Sequence, residues 1–191
     1  MATWHGLLAQ TDYNNKTSIF DRLHNLNKFN DLKESDYGYK EMMTLVNKGV
    51  LSGYQDGTLK PENPVKRGEF TKLLIYGLSL QNKLSNKTNQ FSDLTNHWSN
   101  RIVKVAVDMG IMNGMEINKF YPESKITGAQ VAVILVRYKG FQDLAEAIEG
   151  GKWYEGYIKI AEEQNLLYDN FNPEKFATRA QCAQAIYKLI N

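Results

Sequence analysis

Ile102, Val105, Ala106 and Met109 recur every three or four residues, which puts them on one face of a helix, and Gly110 supplies the left-handed position that ends it. Ile158 to Gln164 predicts a further helix, and Ala180, Cys182, Ala183, Ala185 and Ile186 form the apolar side of another. Two helix starts carry a capping box, Thr127-x-x-Gln130 and Thr178-x-x-Gln181, in which the threonine oxygen and the glutamine side chain satisfy free backbone N–H groups reciprocally. Ile19, Leu23 and Leu26, at helical spacing, predict a helix over Thr17 to Lys28.

These elements repeat. Tyr37, Trp98 and Trp153 each stand 12 residues before Gly49, Gly110 and Asn165, and Pro61, Pro122 and Pro173 each stand 6 residues before Arg67, Gly128 and Arg179. Two spacings held through three copies describe one unit used three times: an aromatic residue, a helix, a stop, a loop to proline and a second helix. Asp56-Gly57 marks a turn inside the first loop, giving a hairpin-like excursion before the proline. The third loop is shorter, so its hairpin tip is read as trimmed. The chain divides into an N-terminal segment, 1–28, and units at 29–81, 91–138 and 141–191, joined by a polar stretch from Ser79 to Gln90 and a short passage from Arg137 to Phe141.

Composition narrows what such an array can do. The chain has 191 residues, 42% of them hydrophobic, enough for a core, and no apolar run near the roughly 20 residues that cross a bilayer. Met1 to Gln10 lacks the basic start and apolar stretch of a secretory signal. A formal charge of +2 argues against a nucleic-acid partner. Cys182 is the one cysteine and is read as a buried structural thiol; His5, His24 and His97 are scattered, so no metal is expected. No nucleophile–base arrangement and no phosphate-cradling loop appears, so neither an enzyme nor a cofactor is expected.

Gly49-Val-Leu-Ser-Gly-Tyr-Gln-Asp-Gly-Thr-Leu-Lys-Pro61, with Phe29-Asn-Asp31 before it and Ala177-Thr-Arg-Ala-Gln181 opening a helix, resembles the S-layer homology domain, and the resemblance runs over residues 29 to 191. It implies a mainly helical, pseudo-threefold trimer of repeats in one compact domain. It also implies a non-catalytic module holding a surface protein to secondary cell-wall polysaccharide, often through a pyruvylated sugar end. The implied ligand grooves lie between repeats and use the helix-opening Arg, the loop Gly, and the Asp and Trp of the first element, here Arg67, Arg179, Gly49, Gly110, Asp31, Asp93, Asp143, Trp98, Trp153 and, in the aromatic position, Tyr37.

Physical chemistry supports the anion part of that expectation. An Arg in the first turn of a helix, beside free N–H groups and the positive dipole end, suits a carboxylate. The aromatics have two readings, as core residues or as flat faces for a sugar ring, and core is the ordinary one. The three Asp residues read as backbone caps as readily as ligand contacts. Departures from the pattern predict unequal grooves: Gly128 stands where Arg belongs, Lys66 replaces the capping Thr and adds a cation beside Arg67, and in the third copy Asn165 for the loop Gly together with the trimmed loop narrows the groove. The groove centred on Arg67 is expected to dominate. Two alternatives remain, a phage virion protein using the same module for receptor recognition and a scaffold that binds protein after losing the sugar.

Overall fold

The computed structural model describes residues 29–191 apart from 86 and 88; the helix read over Thr17 to Lys28 lies outside them. Seven α-helices are present among the described residues: α1 Tyr39–Asn47, α2 Arg67–Gly77, α3 Asn100–Asp108, α4 Gly128–Tyr138, α5 Gln142–Glu146, α6 Glu155–Glu163 and α7 Arg179–Ile190. No strand accompanies them there, only isolated β-bridges. The mainly helical class that the resemblance implies is therefore the class observed among the described residues. None of these helices is long and apolar enough to cross a membrane.

Each unit contributes a short first helix and a longer second one, and the packing crosses unit boundaries. α2 lies on α3, α4 on α6 and α7 on α1, so the second helix of each unit covers the first helix of the next, and the last closes on the first. The second helices also meet, closely because of glycine: a Cβ on Gly77 of α2 would stand 2.6 Å from Ile186 Cγ2 of α7. The buried side chains form one continuous core that includes Phe70, Phe120, Leu74, Leu135 and Ile186. Cys182 is fully buried within it and burial pushes its thiol well up, as the structural reading requires. Met109, placed by periodicity on the apolar face of α3, is 40% exposed, because it is the capping residue beyond the last helical turn.

A cyclic set of backbone hydrogen bonds ties the units where the second helices begin. The Val65 N–H donates to Ala177 O (3.0 Å), that of Ala177 to Ile126 O (2.9 Å) and that of Ile126 to Val65 O (2.8 Å), closing a ring of three. The first two N–H groups of each second helix reach the following unit's loop: Arg67 to Ser124 O and Gly68 to Pro122 O, Gly128 to Lys175 O and Ala129 to Pro173 O, Arg179 to Asn63 O and Ala180 to Pro61 O. The third helical position is held by the cap in α4 and α7, with the Gln130 and Gln181 N–H groups donating to Thr127 and Thr178 Oγ1 at 3.3 Å. This overturns one expectation. The N-termini of α2, α4 and α7 are not free anion cradles, since carbonyls of the neighbouring unit already occupy them.

Candidate functional site

Arg67 and Arg179 open α2 and α7 and are among the few buried charged residues, 4% and 8% exposed. Each guanidinium is fixed by the loop of the next unit in cyclic order. Arg67 donates from Nε to Phe120 O and from Nη2 to Asn113 O, both at 3.0 Å, with Cζ 4.6 Å from the Phe120 ring centre. Arg179 repeats this, Nε to Leu59 O at 2.7 Å and Nη2 to Ser52 O at 2.9 Å, with Cζ 5.0 Å from the Tyr54 ring centre. Neutral carbonyls hold the charge in place without cancelling it. Burial pushes Arg67 down to about 10, which leaves it a cation at neutral pH.

A groove opens over each arginine. The Arg67 groove, about 340 Å³, is walled by Asn113, Gly114 and Met115 of the unit-2 loop, by Gln130 and Arg137 of α4, and by Trp153 of unit 3. The Arg179 groove, about 280 Å³, has the equivalent walls one unit earlier: Ser52, Gly53 and Tyr54, then Glu69 and Lys72 of α2, then Trp98 of unit 2. All three units thus contribute to each groove. Trp98 and Trp153 are 52% and 65% exposed, so the core reading fails for both and each ring presents a face to solvent. A buried cation beside an exposed aromatic plane suits a ligand that is a ring on one side and an anion on the other.

The third equivalent position is filled by the protein itself. A Cβ on Gly128 would stand 2.2 Å from Asn172 O and 2.8 Å from the Tyr168 hydroxyl, so no side chain fits there. Tyr168 is 3% exposed. Tyr37, the counterpart of the two tryptophans, is half-buried and donates its hydroxyl to Gln184 Oε1 at 2.7 Å; Gln184 also accepts from the Asp169 N–H at 2.7 Å and donates Nε2 to Asp169 Oδ2 at 2.8 Å. Lys188 donates to Leu167 O at 2.6 Å. Tyr37 is therefore committed to an internal network rather than open to a ligand.

Several other expected contacts lie elsewhere. Lys66 turns away from Arg67 to pair with Glu123, which also meets His97 Nε2 at 2.9 Å, so it adds no cation to the groove. Asp31 accepts the Leu59 and Lys60 N–H groups, both at 2.8 Å, and Asp93 accepts those of Phe120 and Tyr121, the latter at 2.7 Å. They clamp the residue before the proline, which is left-handed in both units, Lys60 at φ 51° and Tyr121 at φ 58°. Asp143 is exposed in α5 and lines neither groove. Gly49 and Gly110 stop α1 and α3 at φ 69° and 70° and also line neither groove, where Gly53 and Gly114 stand instead. Asn165 adopts φ 52° and stops α6 in the same way, so its replacement of Gly is conformationally equivalent.

The S-layer homology domain model matches residues 28–71 and 90–132, the first two units. The chain is an S-layer homology domain protein. The third unit is outside those matched segments, although α7 carries the same cap and the same arginine contacts as its counterparts. An endoglucanase of Bacillus sp. (strain KSM-635) is 27% identical over 177 residues, which are 85% of this chain and 18% of the relative. The S-layer protein of Bacillus licheniformis is 28% identical, with 83% and 19% covered, and an uncharacterized cell wall amidase of Bacillus anthracis is 31% identical, with 73% and 28% covered. The chain spans about a fifth of the length of the first two. S-layer homology domains are non-catalytic anchors that hold surface proteins to the cell wall, which locates this chain at the cell surface. These relatives are bacterial proteins, an S-layer protein and a cell wall amidase among them, and they lend the phage alternative no support.

Proposed function

We propose that the S-layer homology region attaches a larger protein to anionic, pyruvylated cell-wall polysaccharide, and that the Arg67 and Arg179 grooves are its two binding sites. The observation that carries this is the repeated pairing of a carbonyl-fixed buried arginine with an exposed tryptophan from another unit. Arginine binds a carboxylate through two parallel charge-assisted hydrogen bonds, and such bonds gain strength when partly shielded from water. Nη1 of each arginine carries no protein hydrogen bond among the described residues, which leaves donors for a ligand. A pyruvyl ketal supplies a carboxylate rigidly attached to a sugar ring, and the ring's apolar face matches the tryptophan plane.

Two relatives, the endoglucanase and the amidase, are enzymes by name. In this reading the present region supplies attachment, and any catalysis belongs to sequence outside it. The test is co-sedimentation with purified wall polysaccharide before and after mild acid removal of the ketals. Binding to the intact polymer and not to the treated one supports the proposal. Equal binding to both removes the carboxylate from the account, and binding to neither favours the protein-binding scaffold.

A further inference from the structure

We infer that Arg137 makes the Arg67 groove a two-cation site that selects a sugar unit bearing two anionic groups, whereas the Arg179 groove takes one bearing a single anion. This rests on the sugar-binding reading above and deepens it. Arg137 stands in the third turn of α4 and lines the Arg67 groove, yet nothing in the repeat pattern assigns it a role. Its counterparts are Tyr76 in α2 and Lys188 in α7. Tyr76 has no cationic group to offer, and Lys188 is spent on Leu167 O and Asp169.

Arg137 is less committed. Its Nε is buried with no hydrogen-bond partner, and no carboxylate lies within 4.0 Å of it among the described residues. It faces Tyr157, whose ring centre lies 5.7 Å from its Cζ and whose hydroxyl interacts with both Arg137 and Glu146; Glu146 Oε1 accepts from that hydroxyl at 2.6 Å and from Gln142 Nε2 at 2.9 Å. The half-buried guanidinium lines the groove with a charge that no protein carboxylate among the described residues balances, and a ligand anion there would balance it. The rest of the lining agrees. Gln130 and Val133 are neutral in the Arg67 groove, where the Arg179 groove places Glu69 and Lys72, so the first has two cations and no acid while the second has two cations opposed by a carboxylate. One extra uncompensated charge in a semi-enclosed groove selects for charge in the ligand more than it raises affinity for all ligands.

Trp153 and Trp98 report on the grooves separately, which makes the inference testable by NMR titration of the indole N–H signals in the whole chain. The probes are the methyl glycoside of pyruvylated N-acetylmannosamine and the same sugar carrying an additional phosphate. The doubly anionic probe is expected to bind at Trp153 about tenfold more tightly than at Trp98, and Arg137→Gln to abolish that advantage while leaving the Trp98 titration unchanged. Arg137→Lys, which keeps the charge and loses the planar fork, should recover part of it. An unchanged Trp98 titration in Arg137→Gln also shows that the variant is folded. Equal affinity at both indoles, or an Arg137→Gln variant that keeps the preference, overturns the inference while leaving the sugar-binding reading intact. If neither probe moves either signal, both fall.

Discussion

Arg67 has a structural duty as well as a binding one, and the two can be separated by magnitude. Arg67→Ala removes the donors to Phe120 O and Asn113 O, charge-assisted bonds worth about 1.5–3 kcal/mol each, and the packing of its stem on the Phe120 ring, worth about 1–2 kcal/mol. Against this stands the relief of burying the charge. Burial lowers the guanidinium from its ordinary value to about 10, which corresponds to roughly 3 kcal/mol of penalty that alanine escapes. The balance is a loss of about 1–5 kcal/mol, or a fall in Tm of about 2–20 °C for a domain of this size. Urea unfolding followed by circular dichroism, with the midpoint compared at constant m-value, measures it. A loss below about 0.5 kcal/mol would refute the claim that this residue ties unit 1 to the unit 2 loop. Trp153→Ala is the clean contrast, because a side chain 65% exposed leaves stability within about 0.5 kcal/mol while emptying the same groove of its aromatic wall.

Calorimetric titration with a short pyruvylated fragment should give two ligands per chain, since Tyr168 and Asn172 O occupy the third position; a stoichiometry of three would contradict that closure. Gln184→Ala should cost about 1–3 kcal/mol in urea unfolding by stranding the Tyr37 hydroxyl and the Asp169 N–H, with no change in fragment affinity. Asp93→Ala leaves the left-handed Tyr121 and the Phe120 N–H without their acceptor, and a loss of about 1–3 kcal/mol is expected in the same measurement. Lys66 and then His97 hold Glu123 below its ordinary 4.5, so the stability it contributes is present above that pH and is lost as pH falls through the lower folded value. Thermal melts across the acid range should therefore show a shallower decline for Glu123→Gln than for the parent protein.

The fold was legible because its signals are local. Gly49, Gly110 and Asn165 stop helices through their own backbone preference, and Thr127 and Thr178 cap through residues three positions away, so spacing alone located the helices. The grooves were less legible because their walls come from three units at once. Nothing near Trp98 in the sequence tells that it faces Arg179 rather than the core, and Lys66 sits beside Arg67 in sequence while its side chain runs to Glu123. The closure of the third groove was half visible: Gly128 announced the missing arginine, but not that Tyr168 and Asn172 would fill its place. Arg137 was missed, although comparing the ninth residue after each helix start across the copies, Tyr76, Arg137 and Lys188, would have exposed the difference.

The most direct test joins the two exposed tryptophans. The Trp98→Ala/Trp153→Ala double variant should keep the parent's helical content and unfolding midpoint, since both side chains are largely in solvent. It should also lose co-sedimentation with pyruvylated wall polysaccharide, with each single variant retaining part of it. A double variant that is folded and still binds like the parent would contradict the claim that the inter-unit grooves are the binding sites.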